Sequence, residues 1–154
     1  MSNDKLILLV EDNPDDEALM VRALRKNQIH SRVLVCHDGQ EAIDFFFGPG
    51  AGENPTPQIV ILDLKMPRVD GFEVLRRLRA AEKTRGIPVV IFSSSTEDRD
   101  IFMSYHFGAS SYVRKPVDFS DFSETVRRLG TYWLKVNQAS PSDGSLRLPH
   151  SPAG

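Results

Sequence analysis

Five short apolar runs alternate with amphipathic stretches along this chain, and that alternation constrains its fold more than any other feature. The runs are Lys5–Val10, Arg32–Cys36, Gln58–Asp63, Pro88–Ser93 and Ser111–Arg114. Lys5-Leu-Ile-Leu-Leu-Val10 has no polar alternation after its first residue, the pattern of a strand covered on both faces of a parallel sheet. Between the runs lie predicted helices. One opens at Asn13-Pro14, with Asn as cap, Pro at the first helical position and Leu19, Ala23 and Leu24 inward. A short one follows Asp38-Gly39 and ends near Phe47. A third spans Gly71 to about Ala81 with Phe72, Leu75 and Leu78 inward, and a fourth runs from about Asp98 to Phe107. The last carries Phe119, Phe122, Val126, Leu129 and Trp133 at spacings of 3, 4, 3 and 4, one continuous stripe. Parallel strands need crossovers, so the expectation is α/β: a (βα)5 sandwich, a five-stranded parallel sheet with helices on both faces, for which the doubly wound order 2-1-3-4-5 is taken.

The 154 residues fit one domain. Residues 1–136 carry the alternation. Residues 137–154 do not: from Gln138 onward there are four Ser, three Pro and two Gly, which reads as a disordered Ser/Pro-rich tail. Gly48–Pro57 is a Gly/Pro connection whose glycines lack the strand and the Lys-Ser/Thr of a phosphate loop. Nineteen basic against 21 acidic residues, a net charge of −2, argue against a nucleic-acid partner. The apolar runs are far shorter than the ~20 residues of a membrane span, and no apolar signal segment follows Met1. Cys36 has no partner for a disulfide, consistent with a reducing, cytoplasmic setting. Arg76, Arg77 and Arg79 read as a solvated helix face, and the four histidines show no metal spacing. Phe45, Phe46 and Phe47 cannot all face one way on a helix.

The strand ends carry the chemistry. Strand one runs into Glu11-Asp12, strand three into Asp63, strand four into Ser93 and strand five into Lys115. In open α/β sheets ligands bind beyond the carboxyl ends of the strands, at the switch point between strands one and three. Glu11, Asp12 and Asp63 would share that crevice, with Ser93 and Lys115 across it. Three carboxylates together resist ionisation unless a cation sits among them, and an all-oxygen set with room for water suits Mg²⁺. An aspartate beside a divalent ion and a lysine can accept a phosphoryl group as a nucleophile. Glu11-Asp12 alone would serve equally to cap the helix at Pro14. Asp63 and Lys115 tip the reading toward function.

These residues closely resemble the receiver domain of two-component response regulators: Glu11-Asp12-Asn13, Asp63 with Met66-Pro67 and Asp70-Gly71, Ser93 after an apolar strand, and Lys115-Pro116. The resemblance spans about residues 5–135. It implies a flavodoxin-like fold in which Asp63 is the phosphoacceptor for a sensor histidine kinase. Glu11, Asp12, Asp63 and the backbone carbonyl of Lys65 would hold Mg²⁺, Ser93 would be the switch hydroxyl, and Lys115 would pair with a phosphoryl oxygen ahead of a cis Pro116. Tyr112 matches the aromatic switch position, or else is a strand aromatic packed on a helix. Asn13-Pro-Asp-Asp16, Leu64-Lys-Met-Pro-Arg68, Ser104-Tyr105, Ala109 and Lys115-Pro-Val-Asp118 with Phe122 further resemble the stand-alone regulators paired with bacterial phytochromes. In keeping with these, too little chain follows Trp133 for an output domain. Homodimers through the last helix and strand are common there, and Tyr132 and Trp133 either face such a surface or complete the core. Ser93 stands where Thr is commoner, and Lys65 and Ser95 occupy positions that set the phosphoryl lifetime.

The resemblance implies a switch rather than a turnover enzyme. A haloacid-dehalogenase-type phosphatase would need a second Asp where Lys65 stands, and a flavin protein of the same fold would need a Ser/Thr-rich loop after strand one. The alternative is a degenerate receiver that binds partners without phosphorylation.

Overall fold

The computed structural model describes residues 5–138; the tail expected over 137–154 therefore lies almost wholly outside the described residues. Five strands, β1 (Leu6–Val10), β2 (Arg32–Cys36), β3 (Ile59–Leu62), β4 (Val89–Ser93) and β5 (Ser111–Arg114), alternate with five helices. These are α1 (Pro14–Lys26), α2 (Gly39–Phe47), α3 (Gly71–Ala80), α4 (Asp98–His106) and α5 (Phe119–Thr131). All strand pairs are parallel, in the order β2-β1-β3-β4-β5. This is the flavodoxin-like doubly wound arrangement expected.

The central strands β1, β3 and β4 are buried throughout, as unbroken apolar runs require, while the edge strands β2 and β5 are only partly covered. Alternate residues feed two cores. Leu8, Val10, Val60, Leu62, Val89 and Ile91 face α2 and α3. Ile7, Leu9, Ile59, Ile61, Val90 and Phe92 face α1 and α5, where the Phe92 and Phe122 rings meet edge-on at 5.3 Å.

Several details differ from expectation. β1 and β3 start one residue later than predicted, and Asp63 lies just beyond β3. β4 starts at Val89 because Pro88 has no N–H to give a ladder; its carbonyl accepts from the Val60 amide at 2.9 Å. In α1 the inner face is Met20, Ala23 and Leu24, with Leu19 half-buried at its margin. In α3 Val74 joins Leu75 and Leu78, and Phe72 is half-buried against Phe107. Gly48–Pro57 contains one 3-10 turn, Ala51–Glu53. The Lys115–Pro116 bond is trans, since no cis peptide bond occurs among the described residues; trans is the ordinary preference of an X–Pro bond.

The stripe on α5 changes phase at its end. A π turn, Tyr132–Val136, follows Thr131. An i→i+5 turn adds one residue, so Leu134 rather than Trp133 takes the buried position after Leu129. Trp133 is half-buried against the α1–α5 core and Tyr132 is exposed. Of the three phenylalanines on α2, Phe46 is buried while Phe45 and Phe47 pack at the core margin, with the Arg77 and Lys83 cations over Phe47. Arg79 is not part of a solvated face. Its guanidinium donates to the carbonyls of Gly108, Arg85 and Ile87, tying α3 to the segments that lead into β4 and β5.

Candidate functional site

The register of the sheet decides which side chains meet. Val10 pairs with Leu62, so Glu11 and Asp63 emerge side by side from β1 and β3, and the Asp63 amide donates to the Val10 carbonyl at 3.1 Å. Ser93 pairs with Arg114, and the Lys115 amide donates to the Ser93 carbonyl at 2.8 Å, which sets Lys115 at the same edge.

Capping of α1 falls to Asn13, whose Oδ1 accepts from the amides of Asp15 (2.8 Å) and Asp16 (3.2 Å). Glu11 and Asp12 are therefore free of that duty. Glu11 is buried at 3% exposure, and its Oε2 accepts from the Asn13 amide at 3.1 Å. Asp12 is exposed and Asp63 is 8% exposed. One carboxylate oxygen from each of the three lies within 4.8 Å of the others. Oxygens around an octahedral Mg²⁺ at ~2.0–2.1 Å sit at most about 4.2 Å apart, so the cluster accommodates such an ion with small side-chain adjustment.

Lys115 is the counter-ion of this cluster. Its Nζ stands 2.8 Å from Glu11 Oε1, 2.8 Å from Asp16 Oδ2 and 3.4 Å from Asp63 Oδ2. Burial alone would lower the ammonium's pKa, but hydrogen bonds to Asp16 and Glu11 and the charge of Asp63 hold it above the ordinary lysine range. Glu11 moves up to about 7, chiefly through burial; its hydrogen bond to Lys115 opposes the rise and the charge of Asp63 adds to it. One ammonium thus leaves the cluster short of positive charge, which a divalent cation would supply.

Asp16 is a residue sequence reasoning missed. It lies in the first turn of α1, and only the fold, which packs that helix against α5 and brings Lys115 over the strand ends, reveals its reach. Of the other expected residues, Ser93 is buried at 1% exposure, and its Oγ accepts from the Ser95 amide at 3.2 Å. Ser95 Oγ donates to Asp100 on α4 at 2.5 Å, and the Ser95 carbonyl accepts from the Tyr112 hydroxyl at 2.8 Å. Ser93 is therefore linked through one residue to Tyr112 and to α4. Lys65 lies exposed on the loop after β3, where Lys65, Asp70, Phe72 and Asp100 border an open groove. Gly71 makes that loop possible: a Cβ there would overlap the Asp63 carbonyl oxygen and stand 2.8 Å from Leu64 Cα.

A family model described as the response regulator receiver domain matches residues 7–127. The chain belongs to that family. Its members are signalling proteins. Among curated relatives, the "Probable methanogenesis regulatory protein FilR2" of Methanothrix harundinacea is 38% identical over 87% of this chain and 86% of its own. Response regulator Rcp1 of Synechocystis is 33% identical over 86% of this chain and 90% of its own. The solved Mn²⁺-bound form of Rcp1 superposes with a TM-score of 0.82 at 30% identity, covering 89% of this chain and 99% of that one. A phosphorylated cyanobacterial phytochrome response regulator, RcpA, gives 0.84 at 31% identity over the same shares. The receiver fold, and the likeness to phytochrome response regulators, follow from these matches.

Proposed function

We propose that this chain is a phosphorylation-controlled receiver in which Asp63 accepts a phosphoryl group from a sensor histidine kinase and a protein-binding surface switches in response. The observation that carries this is the convergence of Asp63, Glu11, Asp12 and Lys115 at one sheet edge, with the Lys115 ammonium 3.4 Å from the Asp63 carboxylate. The Asp63 carboxylate attacks phosphorus; a phosphorus–oxygen bond forms as the bond to the donor breaks, and the electron pair leaves with the donor. The product is an acyl phosphate, and attack by water returns the carboxylate. Bound Mg²⁺ supplies charge neutralisation for the phosphoryl oxygens. Glu11, Asp12, Asp63 and the backbone carbonyl of Lys65 would hold that ion, Lys115 pairs with a phosphoryl oxygen, and Ser93 donates its hydroxyl to another. The new Ser93–phosphoryl contact, absent before phosphorylation, then acts through the Ser95 link on Tyr112 and α4.

In this reading residues 1–136 are the receiver and 137–154 its tail, and the setting is cytoplasmic, in keeping with the buried thiol of Cys36. Turnover is limited to the domain's own phosphorylation and dephosphorylation. The likeness to RcpA, named as a phytochrome regulator, supports a phytochrome-type kinase. Exposed Tyr105 and Tyr132 on α4 and after α5 support pairing of two copies through the last helix and strand.

The test is intact mass after incubation with Mg²⁺ and acetyl phosphate. We expect a gain of one hydroxylamine-labile phosphoryl group, absent in Asp63→Asn, while Lys115→Ala still labels but loses the surface change. No gain, with no Mg²⁺ binding, would favour a phosphorylation-independent binding module. A hydroxylamine-labile phosphate retained on Asp63→Asn would refute the site.

A further inference from the structure

Lys115 distributes its three N–H donors unequally. Glu11 and Asp16 receive hydrogen bonds of ordinary charge-assisted length, 2.8 Å each, whereas Asp63 stands at 3.4 Å, outside the usual range. Glu11 and Asp63 reach the lysine from neighbouring strands. Asp16 reaches it from the first turn of α1, held there because its own amide donates to the Asn13 cap. Lys115 is 9% exposed in its side chain and Asp16 28%, so the pair sits at the rim of the site, where the lysine has little water to turn to.

We propose that Asp16 is a positioning residue that holds the Lys115 ammonium back from Asp63 until a phosphoryl group displaces it. This rests on the phosphoacceptor reading above. An oxygen arriving on Asp63 takes the donor now aimed at Asp63, and shortening that 3.4 Å contact draws the ammonium away from Asp16, so Asp16 biases the domain toward its unphosphorylated state. The residues that would hold Mg²⁺ do not include Asp16, so Asp16 would act on that ion only through space and through the shared lysine.

The probe is beryllofluoride, a phosphoryl analogue, titrated calorimetrically at saturating Mg²⁺ into the full chain. Asp16→Asn keeps the shape and an acceptor but gives up the charge that holds the ammonium. Its dissociation constant for beryllofluoride falls about three- to tenfold, the size of one charge-assisted hydrogen bond's preference. The Mg²⁺ dissociation constant, measured without beryllofluoride, rises, since the Asp16 and Glu11 carboxylates share one ammonium and stand within a Debye length of each other. Asp16→Glu, which restores the charge and can still reach the lysine, stays near wild type. Unchanged or weaker beryllofluoride binding by Asp16→Asn overturns the proposal. So does an equal gain when Asp16→Asn is made in a Lys115→Met background, which would mark Asp16 as a through-space charge only. Failure of the wild-type chain to bind beryllofluoride would overturn the phosphoacceptor reading and this inference with it; binding by wild type without a difference in the variant overturns this inference alone.

Discussion

Glu11 and Asp63 leave adjacent parallel strands at the same level and share a single lysine, 2.8 Å from one and 3.4 Å from the other. Both are buried, at 3% and 8% exposure, and the charge of Asp63 raises the cost of ionising Glu11. The site is therefore a place where stability is given up for chemistry. Asp63→Asn removes one of the two charges without changing shape. In chelator, it should stabilise the fold by roughly 0.5–2 kcal/mol, read as a higher urea midpoint, while abolishing acyl-phosphate formation. A lower midpoint would mean that the Asp63–Lys115 attraction outweighs the repulsion.

The pH dependence of the metal-free protein follows from Glu11. Its carboxyl ionises near 4.5 in the unfolded chain and near 7 in the fold, mainly because it is buried. Between those values the folded state binds the extra proton, so the contribution of Glu11 is most favourable below about pH 4.5 and falls as pH rises to about 7, by on the order of 3 kcal/mol. Glu124, held down to about 2 chiefly by its hydrogen bond to Arg127, titrates below this window. Urea unfolding at pH 5 and pH 7.5 in chelator should show the loss, and saturating Mg²⁺ should remove it. A flat profile in chelator would mean that Glu11 is charged throughout.

Glu11, Asp12, Asp63, Ser93 and Lys115 were legible in the sequence because a parallel sheet puts every strand's carboxyl end on one edge, so polar residues that terminate apolar runs must gather there. Asn13 as cap followed from a local rule, whereas the strand order came with the doubly wound fold as a whole. Asp16 followed from neither, because its role depends on how α1 packs against α5 and where Lys115 then reaches, and no spacing in the chain encodes a contact 99 residues away. Arg79 was hidden for the same reason, since one arginine among three looks like its neighbours until Gly108 and Ile87 supply carbonyls. Leu134 escaped because a π turn breaks the 3.6-residue period on which the α5 stripe was read.

Gly71 lies against the backbone of the proposed phosphoacceptor. Its amide donates to the Leu64 carbonyl at 2.9 Å, and an added methyl would collide with the Asp63 carbonyl, which is main chain and cannot swing aside. Gly71→Ala should cost about 1–3 kcal/mol of stability, as overpacking does, and should slow labelling by acetyl phosphate because Asp63 is displaced. A variant as stable and as reactive as wild type would show that the loop gives way at no cost.

Tyr112 holds the loop after β4 through one hydrogen bond, from its hydroxyl to the Ser95 carbonyl at 2.8 Å, while its own amide donates to the Tyr105 hydroxyl at 3.1 Å. Ser95 also bonds Ser93 and Asp100, so this single contact ties the proposed switch hydroxyl to α4. Tyr112→Phe keeps the ring and its packing but removes the donor. It should cost about 0.5–1.5 kcal/mol and leave labelling of Asp63 within about twofold, since Tyr112 touches no group at the carboxylate cluster. The amides of Ser95 and Glu97, which donate to Ser93 Oγ and Ser95 Oγ, should exchange hydrogen several-fold faster as the loop opens more often. Exchange unchanged at both amides would show that Ser95 and Asp100 hold the loop without Tyr112, and that the aromatic ring is only packing.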